Sequence, residues 1–119
     1  MVKSNAVKKT NEKDDPPNIF LAARNNDPLE LALALQDGQS LNDTEDPVML
    51  LTPIHEACIA RSTSFLSAAI GVEFDPWQRD GMQRLAIDHA RVEGLTDFSK
   101  HLHKLMYPNE PTPTIVSFE

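Results

Sequence analysis

A chain of 119 residues with 18 acidic and 11 basic side chains carries a net charge of −7 and has the size of one domain. That charge is wrong for gripping nucleic-acid phosphates or anionic lipid, which both need clustered lysine and arginine, and no run approaches the roughly 20 apolar residues of a membrane span. The single cysteine, Cys58, excludes an internal disulfide, and with no apolar leader at the N-terminus it predicts a cytoplasmic protein.

Residues 1–17 have no hydrophobic period. Lys3, Lys8, Lys9 and Lys13 mix with Glu12, Asp14 and Asp15 before Pro16-Pro17, so a disordered, roughly neutral lead is expected. Apolar residues at helical spacing then predict helices over 18–25, 28–36, 53–61, 63–71, 85–93 and 95–106. Asn26-Asp27-Pro28 reads as an N-cap followed by a first-turn proline, and Thr52-Pro53 reads the same way. Between these two starts lies a long connection, Asn42 to Leu51, combining three acids (Asp43, Glu45, Asp46) with four apolar residues, Val48 to Leu51. Loops of this kind carry binding on rigid scaffolds. The competing reading tucks Val48 to Leu51 into the core. Gly94 marks a turn, with Thr96 and Asp97 as candidate caps after it. Three prolines keep residues 108–119 out of helix, and Thr114-Ile115-Val116-Ser117-Phe118 has strand-like composition. The expected organisation is therefore a lead (1–17), a helical domain (18–107) and a proline-containing tail (108–119).

Thr52-Pro53-Ile54-His55-Glu56-Ala57 resembles the T-P-L-H-x-A signature of the ankyrin-repeat family. Thirty-three residues beyond Ala57 stands Ala90, in Leu85-Ala86-Ile87-Asp88-His89-Ala90-Arg91, similar to the divergent T-P-L-D-x-A-R form. Thirty-five residues before it stands Ala22, in Ile19-Phe20-Leu21-Ala22-Ala23-Arg24. Leu35, Ile70 and His103 each lie thirteen residues after these alanines. The resemblance implies an all-α fold: a short ankyrin-repeat solenoid of three stacked helix-turn-helix pairs with irregular fingers. It also implies a structural His55, looking inward to tie backbone turns together. A small core rich in leucine, isoleucine and alanine implies modest stability, on the order of 5 kcal/mol.

Catalytic arrangements are not found. His55-Glu56 begins like the H-E-x-x-H of zinc proteases, but Ile59 stands where the second histidine is required. His101 and His103 are two apart, so on a helix they point away from each other. Cys58 matches a position buried between helices in the family, which makes an inert thiol the expectation. No enzyme activity, metal or cofactor is expected.

The expected role is protein–protein recognition through the fingers and the concave face of the first helices. By the resemblance that surface holds Leu21, Arg24, Glu56, Ile59, His89 and Glu93, flanked by Asp43, Glu45, Asp46 and Trp77. Trp77 in Asp75-Pro76-Trp77-Gln78-Arg79 could instead cover the edge of the core. An acidic surface favours a protein partner with a basic segment. Two rivals stand beside this reading. One is a small acidic inhibitor or immunity-type protein that blocks a partner enzyme or a basic nucleic-acid-binding site. The other is an assembly subunit whose strand-like tail pairs with another chain; a monomer is the expectation otherwise.

Overall fold

A computed structural model of the chain describes residues 15–109. Most of the expected lead and the strand-like tail segment lie outside the described residues. Within them the fold is all-α, with six helices and no strand: α1 (Ile19–Arg24), α2 (Pro28–Gln36), α3 (Pro53–Ala60), α4 (Thr63–Ala69), α5 (Ala86–Val92) and α6 (Thr96–Met106). Each lies within two residues of its predicted bounds.

The helix starts follow the cap chemistry of the sequence. Asn18 accepts hydrogen bonds from the N–H groups of Phe20 and Leu21, and Asp27 accepts from Leu29 and Glu30. Thr52 and His55 cap α3 reciprocally. The His55 N–H donates to Thr52 Oγ1 at 3.3 Å, while the Thr52 N–H donates to His55 Nδ1 at 3.1 Å. Asp88 takes the second of these tasks at α5, its carboxylate accepting from the Leu85 N–H at 2.8 Å. The expected caps of α6 are corrected: Leu95 is its N-cap, with no side-chain cap bond, and Thr96 and Asp97 already lie in the first turn. Asp97 there still complements the positive end of the helix.

The three helix–helix turns are built alike. Asn26 (φ 55°), Arg61 (φ 57°) and Gly94 (φ 73°) all adopt the left-handed conformation at the same 35- and 33-residue spacing as the alanines. The following N–H groups, of Asp27, Ser62 and Leu95, donate back to the carbonyls of Ala22, Ala57 and Ala90 at 2.9, 2.9 and 2.8 Å. This closes each first helix in the same way. Neighbouring turns are also tied together. The Ser62 hydroxyl donates to the Ala23 carbonyl, and the Phe65 N–H donates to Asn26 Oδ1 at 2.9 Å.

These turns fold each second helix back against its first, pairing α1 with α2, α3 with α4 and α5 with α6. The first helices form one layer in the order α1, α3, α5, and α2 packs on α4 in the other. The core runs between the layers. Ala22, Ala23, Ala57, Cys58 and Ala90 let the first helices approach closely, while Ile19, Leu31, Ile54, Phe65, Leu66, Ile87 and Leu102 fill the volume. Ile70, aligned by spacing with half-buried Leu35, is exposed and caps the end of α4. Between α4 and α6 the second layer opens into a cleft of about 400 Å³, lined by Leu66, Ile70, Leu95 and Phe98.

Cys58 is fully buried, and burial, with a smaller contribution from Glu93, pushes its thiol up to about 12. We expect it to stay silent toward a thiol-reactive disulfide reagent at pH 8 in the native chain and to react fully in denaturant; absorbance of the released thiolate checks this.

Candidate recognition surface

The long finger between α2 and α3 is a rigid loop. The Asp46 carboxylate accepts the N–H groups of Val48 (2.7 Å) and Met49 (3.2 Å), and the Leu50 N–H donates to the Asp46 carbonyl at 2.9 Å. Asp43 accepts the Ser40 N–H at 3.0 Å. The finger is then clamped to the next loop, where the Gly81 N–H donates to the Met49 carbonyl at 2.7 Å. A Cβ at position 81 would lie 2.1 Å from the Val48 carbonyl oxygen, so only glycine allows this approach. Nearer its base the finger is tied by Asn42, whose Oδ1 accepts the Asp75 N–H at 2.8 Å and whose carbonyl accepts Gln78 Nε2 at 3.0 Å.

Val48, Met49 and Leu50 do not tuck into the core. Val48 is 76 % exposed, and Met49 and Leu50 are exposed as well. Leu50 holds a left-handed backbone, φ 51°, which costs a leucine roughly 1–2 kcal/mol. Met82, beside Gly81, is exposed too.

The structure brings three predicted residues together. Arg24 of α1 pairs with Glu45 of the finger and, through Nε at 3.1 Å, with Glu56 of α3. Leu21 and Ile59 are exposed on the same two helices, and Val92 of α5 is exposed in turn. Glu93 is half-buried and receives Arg61 on both its carbonyl and its carboxylate, the latter at 3.5 Å. Asp43 and Asp46 are exposed, but each also organises its own turn.

His89 is a correction. Expected in the concave groove, it is 7 % exposed, because the loop before α5 folds over it. Its Nε2–H donates to Asp80 Oδ2 at 2.8 Å, and its ring stands edge-on to His55, 5.5 Å away at 83°. Asp80 is the residue that sequence reasoning missed. It is 1 % exposed. Its Oδ1 accepts the N–H groups of Met82 and Arg84, both at 2.9 Å, and its Oδ2 accepts Arg84 Nε at 3.1 Å. Burial opposes ionisation of Asp80. The Arg84 N–H, the His89 ring, the Met82 N–H and the Arg84 charge outweigh it, holding the carboxyl at about 2. Asp80-Gly81 reads as a turn in the sequence; nothing there tells that this turn carboxylate is enclosed.

His55 is buried as the resemblance implies. Burial, reinforced by His89, lowers its pKa against the opposing pull of Asp80 and backbone groups of Arg84 and Gln78. With Nδ1 accepting from Thr52, the proton sits on Nε2 and faces the loop of the third pair.

Trp77 belongs to a separate aromatic group. It is 45 % exposed, edge-on to Tyr107 (5.4 Å, 83°), which in turn lies 4.9 Å from the His103 ring. Trp77→Ala removes that edge-to-face contact and the covered half of the ring, so a loss of about 1–2 kcal/mol is expected in thermal unfolding.

No protein-family model matches the chain, and no curated protein does either.

Proposed function

We propose that this chain is a short ankyrin-repeat module that recognises another protein through the 42–51 finger and the neighbouring row of Leu21, Arg24, Glu56 and Ile59. The repeat reading is supported by the three left-handed turns at Asn26, Arg61 and Gly94 and by the reciprocal Thr52–His55 cap. One observation carries the functional reading. A finger turned on the Asp46 carboxylate and carbonyl, clamped at Gly81 and strained at Leu50, holds Val48, Met49 and Leu50 in water. Strain and apolar exposure held by a rigid loop are the signature of a surface kept ready for a partner. The acids around it set the approach, favouring a basic segment and fast encounter at low salt.

The inhibitor reading has one observation in its favour. Residues 25–60 hold seven carboxylates and no lysine or arginine, so the whole net charge resides there. Against it, Arg24 pairs with both Glu45 and Glu56 from outside that stretch and offsets one of their two charges.

A photo-crosslinking amino acid at Val48 in cells, followed by mass spectrometry, names the partner. Val48→Ser with Leu50→Ser should then weaken that partner at least tenfold in calorimetry while leaving the melting temperature within a few degrees. Undiminished affinity in this variant would remove the finger from the reading.

A further inference from the structure

A second surface lies on α2, independent of the finger. Helix α2, Pro-Leu-Glu-Leu-Ala-Leu-Ala-Leu-Gln, has only Glu30 and Gln36 as polar side chains, yet only Leu31 and Ala34 are fully buried. A helix with so many apolar positions buries more than one narrow stripe when it is covered. Here Leu29 is 69 % and Leu33 44 % exposed, with Ala32 exposed between them. They flank a shallow cleft of about 680 Å³ between α2 and the segment entering α1, where Pro17 forms the far wall. The helix at the other end is built differently. Helix α6 buries Phe98, Leu102 and Met106 and turns Asp97, Lys100 and Lys104 to water, Leu105 apart. Among the described residues, one end of the helix stack is thus finished with a polar face, and the other is not.

We infer that the α2 face docks a partner helix bearing apolar residues three and four apart with lysine and arginine on its flanks. The occupant follows from the geometry and the charge. A helix offers no free backbone edge, so strand addition is ruled out and side-chain packing is what remains. Helix α2 is about 13 Å long, enough for two turns of a partner seated along Leu29 and Leu33. The rim holds Asp15, Glu30 and Asp37, with no lysine or arginine between residues 25 and 60. A second copy of this chain would bring like charges rim to rim, which disfavours it; a basic-flanked helix pairs with them.

The test uses the full chain and a fluorescent, amidated peptide of leucine and lysine with leucines three and four apart. Controls are a peptide of the same composition with strict alternation and one with glutamate for lysine. Anisotropy should show binding of the first and at least tenfold weaker binding of both controls. Leu29→Gln with Leu33→Gln, which keeps charge and helix propensity, should weaken it at least tenfold with an unchanged circular dichroism spectrum. Three outcomes overturn the inference. Loss of binding in Val48→Ser/Leu50→Ser but not in the α2 variant would assign the peptide to the finger. A doubled mass in sedimentation, abolished by the α2 variant, would make the occupant a second copy. A tenfold gain in peptide affinity when Lys3, Lys8 and Lys9 are replaced by glutamate in the full chain would make it the chain's own lead.

Discussion

Asp80→Ala should destabilise the fold by about 3–4 kcal/mol, the scale for stripping one partner from a buried charged network. Four donors lose their acceptor at once: the N–H groups of Met82 and Arg84, Arg84 Nε and His89 Nε2. Two of these shape the loop before α5, and His89 lies on α5 itself, so the third helix pair should suffer most. The wild type carries a matching acid signature. A carboxyl held at about 2 in the fold against 3.8 when free contributes about 2 kcal/mol to stability. Because the folded value is the lower one, that contribution is complete above pH 4 and is lost as pH falls toward 2. Urea titrations at pH 7, 4 and 2.5 should show the wild type losing this share, and Asp80→Ala showing a flatter acid limb. Equal acid slopes in the two proteins would remove Asp80 from the account.

Gly81→Ala should cost about 2–3 kcal/mol, the upper range for forcing extra volume into a packed site. The obstacle is backbone, since the new Cβ would meet the Val48 carbonyl oxygen at 2.1 Å and the Met49 carbonyl oxygen at 3.0 Å. Neither can rotate aside. The finger must lift, breaking the bond from the Gly81 N–H to the Met49 carbonyl. Recognition should suffer together with stability, because the lifted finger no longer holds Val48 to Leu50 in one arrangement. Calorimetry on the captured partner should show at least a tenfold weaker complex, with faster amide exchange at residues 46–51. Unaltered exchange there would mean the loop accommodates the methyl by another route.

The helices were legible because their signals are local. Asp27-Pro28 and Thr52-Pro53 each place an oxygen acceptor before a residue that needs no donor, and the structure starts α2 and α3 there. The spacing of Ala22, Ala57 and Ala90 was legible for a related reason. Close helix approach tolerates only small side chains, and that requirement recurs with each pair. Trp77 was ambiguous in the sequence and stands half-exposed in the structure, so neither burial nor a free surface describes it. His89 and Asp80 were not legible, because their burial depends on a loop folding back over α5, and loop paths are set by tertiary contacts. Spacing alone placed His89 on the same helix face as Leu21 and Glu56. The covering loop changed its environment without changing that register.

The cleft between α4 and α6 has a dynamic consequence. The first layer is continuous through α1, α3 and α5, but the second layer is interrupted after α4. The last pair is therefore held mainly along one seam, through α3 against α5, with Asp80 and the two histidines lying beside that seam. A unit fastened along one edge can swing or melt without dragging its neighbours, so the chain should not lose structure in a single cooperative step. Its least stable part is then α5 and α6, while α2 stays fixed on the part that unfolds last and the finger, clamped at Gly81, loosens with the loop before α5.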